Sequence, residues 1–225
     1  MKGPPPSYRR IPHLASAAAA TEDDRFLADP ARDAVLSSPV VVEEKLDGSN
    51  VMLWLDERGE VECAGRSGPG AMDRGNQLGR LRAWAAEHRS LLVCALAEAD
   101  VLYAEWLWLG HSVFYDRLPS LLVVLDLGLV RSGLLPLAER NQVCQQAGLA
   151  TPPCLFSGVP GDLATLIGLC GQSRFGSEPM EGVVLRDASR GPVGKLLAPG
   201  FRRKSDDAWR KSRSYNELAL ITSRG

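Results

Sequence analysis

Histidine is scarce in this chain. His13, His88 and His111 are the only three in 225 residues, and they are scattered. They form no zinc spacing, and a histidine-based catalytic triad has little to build from. The five cysteines (Cys63, Cys94, Cys144, Cys154 and Cys170) are odd in number and widely spaced, with no C-x-x-C pair. They read as reduced core thiols of a cytosolic protein, not as a disulfide framework. An excess of one charge is also missing: 26 Lys and Arg stand against 27 Asp and Glu, for a formal charge of -1. Any polyanion must therefore be bound by a local patch and not by the net field. No stretch approaches the roughly 18 apolar residues of a membrane span. The opening Met-Lys-Gly-Pro-Pro-Pro has no signal-peptide core, and the run Ala15–Ala20 is followed at once by Thr21-Glu22-Asp23-Asp24. The expectation is a cytoplasmic protein with no membrane partner. Three familiar signatures are absent as well: G-x-x-x-x-G-K-[ST], G-x-G-x-x-G and the G-x-S-x-G elbow.

What is present is an ordinary globular composition, 45% hydrophobic and 24% charged. Residues 1–38 are proline-rich and loop-like, with one short helix expected around Ala15–Leu27. From Val40 the pattern turns to strand. Val51–Asp56 and Glu60–Ala64 read as a hairpin around Glu57-Arg58-Gly59. Helical spacing runs from Asn76 to about Ala99. Val101–Trp108 and Leu121–Leu127 read as strands, and Leu137–Ala147 as a helix stopped by Gly148. Asp162–Leu169 is a short helix, Glu181–Arg186 and Val193–Leu197 are strands, and Asp206–Ile221 looks helical. Strands dominate and hairpins are tight, so the class is α+β with antiparallel sheets. The chain divides into a loop-rich segment 1–38 packed on the same domain, a core 39–201, and a basic C-terminal helix or tail 202–225.

The informative segment is Glu43-Glu44-Lys45-Leu46-Asp47-Gly48-Ser49-Asn50. A lysine at a strand end, followed by Asp and Gly, sits on a turn and projects its amine into a cleft. Asp47 and Gly48 suit the turn backbone, and Gly48 lets a ligand approach closely. Arg66-Ser67-Gly68 begins about 20 positions later. Tyr103-Ala104-Glu105-Trp106 sets an acid inside an apolar strand, where a carboxylate is costly unless paired or bonded. Glu181-Gly182-Val183-Val184-Leu185-Arg186 repeats the device, and Gly194-Lys195-Leu196-Leu197 brings a second lysine to a strand.

In order and spacing these segments resemble the nucleotidyltransferase motifs of the covalent superfamily of polynucleotide ligases and mRNA capping enzymes. Motif I falls on Lys45–Asn50, Ia on Arg66–Gly68, III on Tyr103–Trp106, IIIa near Leu122–Leu127, IV on Glu181–Arg186 and V on Lys195–Leu197. The form E-K-x-D-G-[ST]-N is similar to the ATP-dependent, nick-sealing RNA ligase branch that includes the RNA-editing ligases. The resemblance implies a ligase-type nucleotidyltransferase fold, with antiparallel β-rich subdomains flanking an ATP cleft. It implies that Lys45 attacks ATP to form Lys-AMP, that AMP passes to a 5′-phosphate, and that a 3′-hydroxyl then seals the strand. By the same resemblance Lys45 is the nucleophile and Lys195 contacts the α-phosphate. Glu44, Gly48, Arg66, Glu105 and Leu125 belong to the nucleotide site, Glu181 supports Mg²⁺ or Mn²⁺, and Asn50 engages the 5′-phosphate end.

A free lysine has a pKa of about 10.4, so Lys195 or a metal ion is expected to lower that of Lys45. Two departures are visible. Motif V commonly reads K-x-K but has one lysine here, and Leu125 stands where an aromatic commonly faces the purine, with Tyr115 a possible substitute. Arg202, Arg203, Lys204, Arg210, Lys211 and Arg213 place six basic residues within twelve positions, beside Trp209. That cluster reads either as a nucleic-acid patch or as a solvated helix face. About 24 residues follow Phe201, which is short for an OB-fold; either the basic tail holds the nucleic acid or a partner protein supplies the missing surface. The readings left open are a GTP-using guanylyltransferase of the same superfamily and a non-catalytic nucleic-acid-binding module.

Overall fold

The computed structural model describes residues 5–15, 24–65, 76–204 and 214–220. Its elements in chain order are α1 (Asp29–Leu36), β1 (Val40–Lys45), β2 (Ser49–Leu55), β3 (Val61–Gly65), α2 (Gln77–Glu87), α3 (Arg89–Leu96), β4 (Val101–Trp106), β5 (Leu122–Leu129), β6 (Gly133–Leu134), α4 (Leu137–Ala147), β7 (Cys154–Gly158), α5 (Leu163–Leu169), β8 (Gly182–Asp187) and β9 (Gly191–Leu197). The strands form two sheets, a four-stranded one in the order β7-β1-β8-β9 and a five-stranded one in the order β3-β2-β4-β5-β6. Every pairing between named strands is antiparallel. The α+β reading therefore holds. Among the described residues no helix is long and apolar enough to cross a membrane.

Alternation along the strands separates core from cleft. In the four-stranded sheet Val42, Val183, Leu185 and Leu196 share one buried face with Leu166 of α5 and Leu36 of α1. The other face carries Glu43, Lys45, Val184, Arg186 and Lys195, with Glu43 opposite Val184 and Val184 opposite Lys195. In the five-stranded sheet Val51, Leu53, Leu102, Ala104, Trp106, Leu122 and Val124 pack beneath α2, α3 and α4. Its opposite face turns Asn50, Tyr103, Glu105 and Leu125 towards the first sheet. The only residues between β1 and β2 are Leu46, Asp47 and Gly48, so the chain crosses from one sheet to the other immediately after Lys45.

A buried charge cluster joins the two sheets. Arg186 of β8 binds Glu43 of β1 at 3.3 Å and Asp126 of β5. Arg140 of α4 reaches the same Glu43 and donates to the carbonyls of Val124 and Leu125 at 3.1 Å each. Tyr8 completes it by donating its hydroxyl to Asp126. Two arginines against two carboxylates make the cluster neutral, which is how it tolerates burial. The N-terminal segment is fixed across the seam: Arg9 donates to Arg190 and Pro192 carbonyls, Lys195 N–H to Pro12, and Leu14 N–H to Lys195.

Several expectations need correction. No helix covers residues 24–27; Arg25 and Leu27 exchange backbone hydrogen bonds with His13 in an extended pairing. The remaining residues of that expected helix lie largely outside the described ones. Helix α1 and strands β6 and β7 arise from segments the pattern left as loop. The expected helix 76–99 is two helices, because His88 leaves helical geometry, binds the Trp84 carbonyl through its ring and stacks on the Trp84 indole at 4.1 Å. Of the expected helix 206–221, residues 206–213 and 221 lie outside the described ones, and residues 214–220 are not helical. They pair with the loop after β4, where Asn216 accepts from Tyr115 N–H and donates to the Leu107 carbonyl. The thiols are free, as expected, but only Cys63 and Cys144 are core residues, and Cys94 and Cys154 are exposed.

Truncating Arg140 to alanine removes one of the two guanidinium partners of buried Glu43 and leaves the cluster with an uncompensated negative charge, and is expected to cost about 3–5 kcal/mol. Truncating Arg32, whose partners Asp29 and Asp33 are exposed, should cost under about 1 kcal/mol. Urea denaturation midpoints of the two variants test this; equal midpoints would remove the cluster's structural role.

Candidate active site

The cleft between the two sheets has a volume of about 660 Å³. Lys45 enters it from the last position of β1, opposite Gly182 of β8. Its Nζ lies 2.5 Å from Glu181 Oε2, and its side chain keeps 20% exposure while that of Glu181 keeps 2%. Gly182 is required by packing, since a Cβ there would come within 2.1 Å of the Leu196 carbonyl oxygen. The tight β8–β9 contact thus places Glu181 directly beneath Lys45.

The turn after Lys45 is held from both sides. Asp47 accepts Ser112 N–H at 2.5 Å and Val113 N–H at 2.9 Å, and its own N–H reaches the Tyr115 hydroxyl. Gly48 donates to Glu105 Oε1 at 3.1 Å. A Cβ on Gly48 would meet the Trp106 carbonyl at 2.6 Å and Leu107 at 2.7 Å. This glycine therefore permits a close approach to β4, and it also lines the cleft. Asn50 pairs with Glu105 across β2 and β4 and lines the cleft.

Four carboxylates and two lysines determine the electrostatics. Burial alone pulls the Lys45 ammonium down, but Glu181, Glu105 and Asp47 outweigh it, so its pKa lies above that of a free lysine. The carboxylates around Lys45 thus favour its ammonium form. Burial pushes Glu181 up against the opposing charge of Lys45. Glu105 is pushed up to about 7, first by burial, with Lys45 opposing. Lys195 is lowered, first by burial, while its hydrogen bond to Asp24 at 3.0 Å acts the other way and Lys45 repels it.

The expected site residues fare differently. Lys45, Gly48, Asn50, Glu105, Leu125, Glu181 and Lys195 come together around one cleft, and Arg203 and Lys204 join its rim. Leu125 is the extra residue of a bulge in β5, between the pairs Tyr103–Asp126 and Ala104–Val124. Glu44 borders the cleft, but strand alternation turns its carboxylate to the other face, where Ser173 Oγ at 2.5 Å and Arg174 N–H at 2.8 Å engage it. Tyr115 is fully buried and holds the Asp47 turn, so it is no substitute for an aromatic at Leu125. Arg202 is exposed. Arg66, Arg210 and Lys211 lie outside the described residues.

Asp24, Gln77 and His111, which the motifs did not mark, also line the cleft. Asp24 binds Lys195 and lies 3.1 Å from His13 Nε2; it belongs to an acidic run, but nothing in the sequence ties it to Lys195. Ser49, Gln77 and His111 form a polar ledge, with Ser49 Oγ 3.2 Å from Gln77 Oε1 and 3.5 Å from His111 Nε2. Among the described residues no group of three or more His, Cys, Asp or Glu side chains is arranged to hold a metal. Glu181, buried beside Lys45, has the chemistry of a ligand for Mg²⁺, an ion that takes one or two carboxylates and completes its shell with phosphate oxygens and water.

The RNA ligase family model matches residues 38–197, and the chain belongs to that family. Among solved structures the chain is similar to Naegleria gruberi RNA ligase with PPi, at 15% identity and a TM-score of 0.61, covering 88% of this chain and 63% of that one. A mutant of that ligase with ATP and Mn matches at 14% identity and a TM-score of 0.57, over 88% and 62% of the two chains. Another mutant, with AMP and Mn, matches at 13% and 0.57, over 87% and 62%. At these identities the likeness is one of fold, and the chain spans less than two thirds of that ligase's length. No curated protein matches the sequence.

The Glu105 carboxyl gives a pH signature. Between its ordinary value of 4.5 and about 7 the folded protein keeps a proton that the unfolded chain releases. Stability contributed by Glu105 therefore falls as pH rises through that window and is constant above it. Glu44, Asp126 and Glu181 are raised in the same direction, so the comparison must be with Glu105→Gln. Unfolding free energy against pH should fall more steeply in the wild type than in the variant, by at most about 1.4 kcal/mol per pH unit. Parallel curves would contradict the raised value.

Proposed function

We propose that this chain carries the nucleotidyltransferase core of an ATP-dependent RNA ligase. The observation that bears most weight is Lys45: a lysine at the crossing of two sheets, inside a cleft, paired at 2.5 Å with the buried Glu181. Burial inside a cleft is uncommon for a lysine, and it fixes the position of a nucleophile.

The neutral Lys45 amine attacks the α-phosphorus of ATP. The new N–P bond forms as the α–β phosphoanhydride bond breaks, and pyrophosphate leaves with the electron pair. The amine loses its proton to solvent as the Lys45-AMP phosphoramidate forms. A 5′-phosphate oxygen of the nucleic acid then attacks the AMP phosphorus, the N–P bond breaks and the Lys45 amine leaves with a proton from solvent. The 3′-hydroxyl attacks the activated 5′-phosphate, loses its proton to solvent and forms the phosphodiester as AMP leaves with the electron pair. A bound Mg²⁺ or Mn²⁺, which Glu181 would hold, supplies positive charge beside the phosphates and brings the lysine pKa down. Lys195 adds a fixed cation on the same sheet face, suited to an α-phosphate oxygen. Glu105, on the opposite wall, suits the ribose hydroxyls. Leu125 and Val184, one from each sheet, give the base an aliphatic wall. Asn50, Arg203 and Lys204 line the cleft; Asn50 would meet the 5′-phosphate end, and the two cations would attract the polynucleotide. Arg66, Arg210 and Lys211 are assigned to the nucleotide and the nucleic acid by motif and charge alone. RNA is the substrate that family membership favours. A partner protein that completes the nucleic-acid surface is compatible with this assignment.

Incubation with Mg²⁺ and α-labelled ATP or GTP, followed by a denaturing gel, tests the proposal. The expected outcome is an acid-labile label from ATP on the wild type, and a loss of at least about 100-fold in Lys45→Ala, since no other amine occupies its position. Label from GTP alone would mean capping-type chemistry. Absence of label from either nucleotide would mean a binding module.

A further inference from the structure

The ledge at the cleft mouth leads outward to a second site. Gln77, whose buried side chain accepts from Ser49 Oγ, begins α2, and Arg80 follows one turn later on the same helix face. The Arg80 guanidinium lies 5.4 Å from the centre of the Trp108 ring. Trp108 is three residues before His111, which lines the cleft. Tyr215 sets its ring 5.0 Å from Trp108 at an angle of 46°. The backbone fixes that ring: Leu109 and Tyr215 form a β-bridge, and Gly110 N–H donates to the Ser214 carbonyl. Trp108 rests half-buried on the core under α2, Arg80 is exposed, and Tyr215 is 53% exposed. Two rigid aromatic rings and a guanidinium are thus presented to solvent beside a cleft built for phosphate chemistry.

Aromatic faces with an adjacent arginine match one ligand chemistry well, an unpaired nucleobase with its phosphate. We propose that Trp108, Tyr215 and Arg80 form a stacking site for an unpaired base of the RNA strand whose end enters the Lys45 cleft. This rests on the ligase reading. It assigns strand binding to the part of the C-terminal segment that pairs with the loop after β4, in addition to its basic residues. The stack recognises a π-face and so tolerates any base.

The probe is a 5′-phosphorylated single-stranded oligouridylate RNA, with binding to the full chain followed by fluorescence anisotropy across a salt series. Tyr215→Leu keeps an apolar contact to Trp108 and removes the π-face; it should bind about tenfold more weakly. Its salt slope should match the wild type, because a stack releases no counterions. Tyr215→Phe should bind like the wild type. An abasic oligomer of the same length, given to the wild-type protein, should bind as weakly as uridylate binds Tyr215→Leu. Unchanged affinity in Tyr215→Leu, or equal binding of abasic and uridylate probes by the wild type, would overturn the site. Labelling of Lys45 by ATP is scored separately: its failure would refute the ligase reading, whereas labelling with an unaltered Tyr215→Leu affinity would refute the stacking site alone.

Discussion

The cleft exists because two sheets are held at a fixed separation, and the buried cluster of Glu43, Arg140, Arg186, Asp126 and Tyr8 is what holds them. Each charged member would be costly in isolation. Together they are neutral and hydrogen-bonded, and they take partners from β1, β5, β8, α4 and the N-terminal segment. A hydrophobic seam would have let the sheets close on each other. A polar one keeps directional contacts, and it leaves Glu43 and Arg186 on the same strand faces as Lys45. The nucleophile candidate is therefore two residues along β1 from the feature that fixes the width of its own site.

Within that frame the carboxylates of the cleft set the charge around Lys45. Glu181, Glu105 and Asp47 favour the Lys45 ammonium. Polyphosphate and its cation would change that balance, since positive charge near Glu181 relieves the hold on Lys45. Lys195 is restrained in turn by Asp24, a carboxylate brought from the N-terminal segment. One of the two lysines of the K-x-K pattern is missing, and Leu197, two positions after Lys195, faces Gly182 across β8 and β9. The chain thus has one cation where relatives by motif commonly have two, and an acid close to it.

Much of this was legible in the sequence because strand faces and turns follow local rules. The β-branched run at Val40, the hairpin around Gly59 and the helix ending at Gly148 all declare themselves through periodicity and turn chemistry. Lys45, Glu105 and Glu181 were visible as charges placed in apolar strands. What stayed hidden depends on contacts distant in sequence. Asp24 reaches Lys195 only because residues 12–14 pair with β9. The division of the long helix at His88 rests on a ring that binds Trp84. The segment 214–220 had a helical pattern but takes its conformation from the loop it pairs with, and the Trp108–Tyr215 pair follows from that pairing. Gly48 shows the same limit, because its close contact with β4 is one that no turn rule reveals.

The most direct measurement is peptide-level mass spectrometry of the protein after incubation with ATP and Mg²⁺, under conditions that preserve a phosphoramidate. The account predicts AMP on the peptide that carries Lys45, attached at that residue alone. An unmodified protein, or AMP on Lys195 or another side chain, would contradict it.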